Sequence, residues 1–176
     1  MSNDANLTGE WVGEYYQHGD PHPIEASLVQ DGERLTGAMR DGETDSESTV
    51  FKVAADAGLP PGADERIEAD LRAMFPDARA EPIRFITHLP PESSLEGSVK
   101  GDRVQLLKRY QGAHYGGYRV GDKLVGHRIE DHSVQYGGRL SPDGLEIEGR
   151  WWIDPIAGAG GHRTEGSFTL RRRPAD

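Results

Sequence analysis

The sequence predicts a mainly β protein, an antiparallel up-and-down meander closed into a barrel of about 8–10 strands with one α-helix inserted near residues 64–75. Three observations predict it. Short runs alternate apolar with polar residues, the period of a strand with one dry face. Four glycine–acid dipeptides, Asp31-Gly32, Gly101-Asp102, Gly121-Asp122 and Asp143-Gly144, recur along the chain, and three of them join such runs. A two-residue link that needs positive φ joins antiparallel neighbours, which favours a meander over a doubly wound sheet. Finally, Gly at 23 and Pro at 11 exceed average usage without a collagen-like period, which points to many tight turns rather than disorder.

The first strand covers residues 9–16, where period two puts Trp11, Gly13 and Tyr15 on the inward face and Glu10, Glu14 and Tyr16 outside. Residues 23–30 follow with Ile24, Ala26 and Leu28 on one side, then 34–40 with Leu35, Gly37 and Met39, and a fourth strand near 49–54 with Phe51 and Val53. The pattern then changes. After Pro60-Pro61-Gly62, residues 64–75 carry Ile67, Leu71, Met74 and Phe75 at helical spacing, with acids early and Pro76 as a stop. One apolar stripe must cover something, either an open barrel end or the outer face of a sheet. Strands resume at 83–89, 95–100 and 103–110. The glycine-rich stretch 111–117 reads as an irregular loop and 120–127 as a short hairpin around Gly121-Asp122. Strands at 131–136, 145–153 and 164–170 complete the chain, with 158–162 a flexible hairpin tip.

A length of 176 residues suits one well-buried core, so the expectation is a single domain, 1–176, with a helical insertion at about 56–80. A formal charge of −10 repels phosphate backbones and anionic lipid, which disfavours nucleic acid and membrane surfaces as partners. The one basic run, Arg171-Arg172-Arg173, is split by alternation, Arg172 facing away from its two neighbours. The absence of cysteine excludes a disulfide framework and any thiolate chemistry. With residues 1–6 polar and no run of membrane-spanning length, the expected location is cytoplasmic, and nothing indicates a cofactor.

Leu7-Thr8-Gly9-Glu10-Trp11 opens the first strand and Leu35-Thr36-Gly37 follows a turn two strands on. This pair resembles the start of calycin-type barrels, the lipocalin and avidin-like proteins. The resemblance implies the barrel fold and apolar-ligand binding. It also implies that Arg172, which shares a face with Phe168 and Leu170, packs over Trp11 and closes one barrel end. Where avidin-like proteins place a ligand-holding polar residue, two positions after the tryptophan, this chain has Gly13, so biotin binding does not carry over.

Polar residues on otherwise apolar faces mark a ligand site. Lys108 and Tyr110 share a side with Val104 and Leu106, and His132 and Tyr136 share one with Val134. An unpartnered buried polar group costs roughly 1–3 kcal/mol, so such groups are paired, hydrated or filled by a ligand. Tyr15, Lys108, Tyr110, His132 and Tyr136 are therefore the candidate ligand-binding residues, with a self-satisfied hydrogen-bond network as the rival account. Trp151 and Trp152 must face opposite ways, which puts Trp152 outside, where it needs a cover: the helix, a second protomer in a homodimer, or another partner. His18 and His22 have His-x-x-x-His spacing, but Pro21 forbids the helix that would align them, so a solvated turn is expected rather than a metal site. The acidic run 43–47 reads as a solvated loop. No hydrolase elbow, phosphate-loop lysine or zinc-protease motif is present.

The leading expectation is non-catalytic binding of a small, largely apolar molecule inside the barrel, with the helix as cap. One alternative is an enzyme in the same cavity, with His132 as general base and Lys108 or Tyr110 steadying an anion. The other is a scaffold whose working surface is Trp152 and the helix.

Overall fold

Alternating burial along each strand curls the chain into a closed barrel. The structure is a computed structural model and describes residues 6–17, 19–49, 60–76, 81–112, 114–129, 133–154 and 163–174. In chain order its elements are β1 (Gly9–Gln17), β2 (Asp20–Asp31), β3 (Arg34–Asp41), β4 (Asp45–Thr49), α1 (Ala63–Met74), β5 (Ile83–His88), β6 (Glu92–Lys100), β7 (Arg103–Tyr110), β8 (His114–Val120), β9 (Lys123–Ile129), β10 (Ser133–Leu140), β11 (Glu146–Ile153) and β12 (Thr164–Arg172). Eight of them form the barrel in the order β1-β12-β11-β10-β7-β6-β3-β2, antiparallel throughout. Pairing of β1 with both β2 and β12 closes it, so no strand of the barrel is left as an edge.

All four glycine–acid turns link consecutive antiparallel strands, and Gly32, Gly101, Gly121 and Gly144 have φ of 60°, 61°, 57° and 74°. Period two then sorts the side chains. On β7, Val104, Leu106 and Lys108 are buried while Arg103, Gln105 and Arg109 are exposed. The core runs from Leu7, Trp11, Leu28, Leu35, Ile147 and Leu170 at one end to Met39, Tyr136 and Trp151 at the other. Burying each such aliphatic or aromatic side chain contributes about 1.5–3 kcal/mol.

Close approach of neighbouring strands explains Gly13. A Cβ there would lie 1.8 Å from the Thr169 carbonyl oxygen on β12, so β1 accepts no side chain at this position.

The chain leaves the barrel after β3 and again after β7, and its contacts group into two compact units. One comprises Met1–Glu43, Pro90–Gly112 and Asp131–Asp176, and the other Thr44–Leu89 and Ala113–Glu130. The second unit holds an antiparallel sheet in the order β4-β5-β8-β9. Helix α1 lays Ile67, Leu71 and Phe75 against Ile83, Phe85, Tyr118 and Val120 of that sheet, so its stripe covers a sheet face. Met74, expected on the stripe, is instead exposed: the buried stripe passes from Leu71 to Phe75, where the helix has ended. No helix among the described residues is long and apolar enough to cross a membrane.

The runs at 83–89 and 120–127 are thus strands outside the barrel. The stretch 111–117, expected as an irregular loop, enters β8 at His114: Gly116 and Gly117 are buried within the sheet, paired with Thr87 and Ile86, so here the glycines continue a strand and do not break it. The acidic run expected as a loop enters β4 at Asp45. The fourth strand expected at 49–54 overlaps β4 only at Thr49, and its inward pair Phe51 and Val53 lies outside the described residues, as does the tip at 158–162.

Candidate functional site

Five barrel strands deliver titratable side chains to one end of the interior. Tyr15 comes from β1, His22 from β2, Asp41 from the last position of β3, Lys108 and Tyr110 from β7, and Tyr136 from β10. Trp151 on β11 stands opposite Tyr136, and Phe168 on β12 opposite Tyr15. Each faces inward for the same reason, its separation by an even number of residues from a buried aliphatic or aromatic neighbour on its own strand.

At the centre is a buried ion pair. The Lys108 ammonium donates to both carboxylate oxygens of Asp41 at 2.7 and 2.6 Å, with Lys108 1% and Asp41 4% exposed. The same Nζ lies 4.4 Å from the centroid of the Tyr110 ring. Burial lowers the Lys108 pKa from its ordinary value, and the Asp41 carboxylate and its hydrogen bond work against that shift. A pair this dry is costly to break, because removing either partner strands the other charge in low dielectric.

Three phenols lie within electrostatic reach of Asp41. Tyr15 stacks on His22 with ring centroids 4.9 Å apart and meets Trp151 edge-on at 5.6 Å, and Tyr136 meets Phe168 edge-on at 5.0 Å. The Trp151 indole N–H donates to the Tyr16 carbonyl and Ser93 Oγ to the Met39 carbonyl, so these donors are committed. Tyr136 is 3% exposed, and among the described residues its hydroxyl has no hydrogen-bond partner. Burial above all, reinforced by the Asp41 charge, raises the pKa of Tyr15, Tyr110 and Tyr136 above the ordinary phenol value. These hydroxyls therefore stay protonated and serve as donors rather than bases.

The sequence brings Tyr15, Lys108, Tyr110 and Tyr136 to mind for this site, and the structure places all four in one cluster; His132 lies outside the described residues. Asp41, Ser93 and His22 were missed. Extending the inward series Leu35, Gly37, Met39 by one step would have reached Asp41, and stepping back from Leu95 or Ile24 reaches Ser93 or His22. His22, expected in a solvated turn, belongs to β2, where its Nδ1 is 2.9 Å from Glu43 Oε2; Pro21 is compatible with a strand even though it forbids a helix. His18 lies outside the described residues.

At the opposite end, the Arg172 guanidinium sits 5.7 Å from the Trp11 ring centroid. Trp152 points outward, half-buried, with the Arg163 guanidinium 4.7 Å from its ring and its own ring edge 3.3 Å from where a Cβ of Gly137 would be. Its cover thus comes in part from the chain itself. Two grooves, of about 720 Å³ along β7, β10 and β11 and about 840 Å³ on the β4-β5-β8-β9 sheet, lie away from the polar cluster.

Comparison with protein-family models, with curated proteins and with solved structures finds no match for this chain.

Proposed function

We propose that the barrel is a binding protein of calycin-like design that holds a small, largely apolar molecule in its interior at the Tyr15–Lys108 end, without catalysing a reaction on it. The observation that carries this reading is the Tyr136 hydroxyl, buried within electrostatic reach of Asp41 and left without a hydrogen-bond partner among the described residues. A hydroxyl in that state costs about 1–3 kcal/mol unless something arrives to accept a hydrogen bond from it. Aromatic walls from Tyr15, Trp151 and Phe168 supply apolar contact around it. The closed strand order and the Arg172–Trp11 packing support the calycin-like description. Lys108 is already neutralised by Asp41, which removes the free cation an anion-stabilising enzyme would need.

Native mass spectrometry of the protein purified under mild conditions tests the reading. A mass excess of a few hundred daltons that disappears on organic extraction supports it. Titration of the extracted protein with apolar fluorophores that leaves both dye and tryptophan emission unchanged overturns it.

A further inference from the structure

The geometry points to the kind of polar group such a ligand carries: an uncharged hydrogen-bond acceptor, such as a ketone, ester or amide carbonyl, on a flat apolar body, and not a carboxylate. This inference rests on the binding reading above and refines it. Its basis is the balance of charges and donors in the cluster. The Lys108 ammonium spends two of its three N–H groups on the two oxygens of Asp41 and lies against the Tyr110 ring, so its charge is already balanced within the protein. Asp41 carries the compensating negative charge, and it is buried with Lys108 rather than screened by water. A ligand carboxylate entering here would meet no uncommitted cation and would lie beside Asp41, losing its hydration with no new ion pair in return.

The donors that remain are phenolic. Tyr136 offers a hydroxyl with no partner among the described residues, and Tyr15, facing inward from the neighbouring part of the wall, is likewise without a hydrogen-bond partner among them. Two further donors in this part of the barrel are committed within the protein, the Trp151 N–H to Tyr16 and Ser93 Oγ to Met39. A neutral carbonyl satisfies a phenolic donor without importing charge. The flatness of the ligand follows from the walls, since Tyr15, Trp151, Phe168 and His22 present rings in stacked and edge-on pairs.

Three naphthalene probes of nearly equal size test it: 6-propionyl-2-dimethylaminonaphthalene, which ends in a ketone, 6-dimethylamino-2-naphthoic acid, ionised at pH 8, and 2-dimethylaminonaphthalene, which has no head. The expected result is that wild-type protein binds the ketone at least about ten-fold more tightly than the carboxylate, and more tightly than the headless control. Tyr136→Phe should weaken the ketone by about three- to ten-fold and leave the headless control unchanged. If Tyr136→Phe fails to fold, Tyr15→Phe and the wild-type ranking carry the same test. Carboxylate binding equal to or tighter than ketone binding overturns the inference while leaving the binding reading intact, as does a ketone that gains nothing over the headless control. Failure of all three probes to bind removes the binding reading itself.

Discussion

Arg172 and Trp11, paired directly across β12 and β1, form a closure in which the guanidinium lies 5.7 Å from the indole centroid and donates to the backbone carbonyls of Asn6 and Thr8. One side chain thus fastens the segment leading into the first strand to the last strand, while the Trp11 indole N–H donates to the Leu7 carbonyl beneath it. Arg172→Leu should destabilise the barrel by about 2–3 kcal/mol, the combined loss of a cation–π contact and charged hydrogen bonds. Arg172→Lys keeps the charge but not the forked donors, so about half of that loss is expected. Urea unfolding midpoints followed by tryptophan fluorescence check the order, and a leucine variant as stable as wild type would refute the closure.

The Lys108–Asp41 pair predicts a non-additive cycle. Asp41→Leu or Lys108→Met alone should cost about 3–5 kcal/mol, because each strands one charge in the core. The double variant should recover most of that loss, since two apolar side chains then replace a desolvated pair. Thermal and denaturant unfolding of the four proteins measure the coupling. Additive losses would mean the pair is not the dry contact described.

Gly13 predicts intolerance to the smallest side chain. Its Cβ would approach the Thr169 carbonyl oxygen to 1.8 Å, a contact relieved only by moving backbone of β1 or β12. Gly13→Ala should therefore cost at least about 3 kcal/mol, above the range of ordinary substitutions. Soluble expression and the melting temperature report it, and a near-neutral substitution would contradict the strand spacing.

Alkaline pH should unlock the cluster with a definite sign. Tyr15, Tyr110 and Tyr136 have folded-state pKa values raised above the ordinary value of 10.0, so between that value and their own the folded chain holds more protons than the unfolded one. Their contribution to stability is full below pH 10 and falls as pH rises beyond it. The lowered pKa of Lys108 has the opposite sign in the window below 10.5, but it is one group against three. Stability should thus decline above pH 10, and Tyr136→Phe should make the decline shallower. Phenolate absorbance recorded alongside circular dichroism gives the readout: these three tyrosines should ionise only as the fold is lost.

Much of the fold was legible because it follows from local rules. Each glycine–acid turn lies where two strands reverse, and alternation assigned Trp11, Lys108, Tyr136 and Trp151 to the inside. Helix α1 was legible from its stripe and from Pro76 as a stop. Asp41 was not, because ending the strand one residue early at Arg40 removed it from the inward series, and a buried carboxylate has no local signature apart from its partner. Gly116 and Gly117 misled because glycine occurs both in loops and inside paired strands, and only the pairing with β5 distinguishes the two.

The amino-acid order by itself determined the alternation, the reversals and the residues that face away from water, since these depend on bonds and side chains within a few positions of one another. It did not determine which strands share a sheet. The run beginning at Ile83 has the same period as the barrel strands, yet it pairs with β4 and β8, because hydrogen-bond pairing joins segments far apart in the chain and period two is silent about partners. A separation of 67 residues lies between Lys108 and Asp41, so the ion pair at the centre of the site exists only once β3, β6 and β7 have come together.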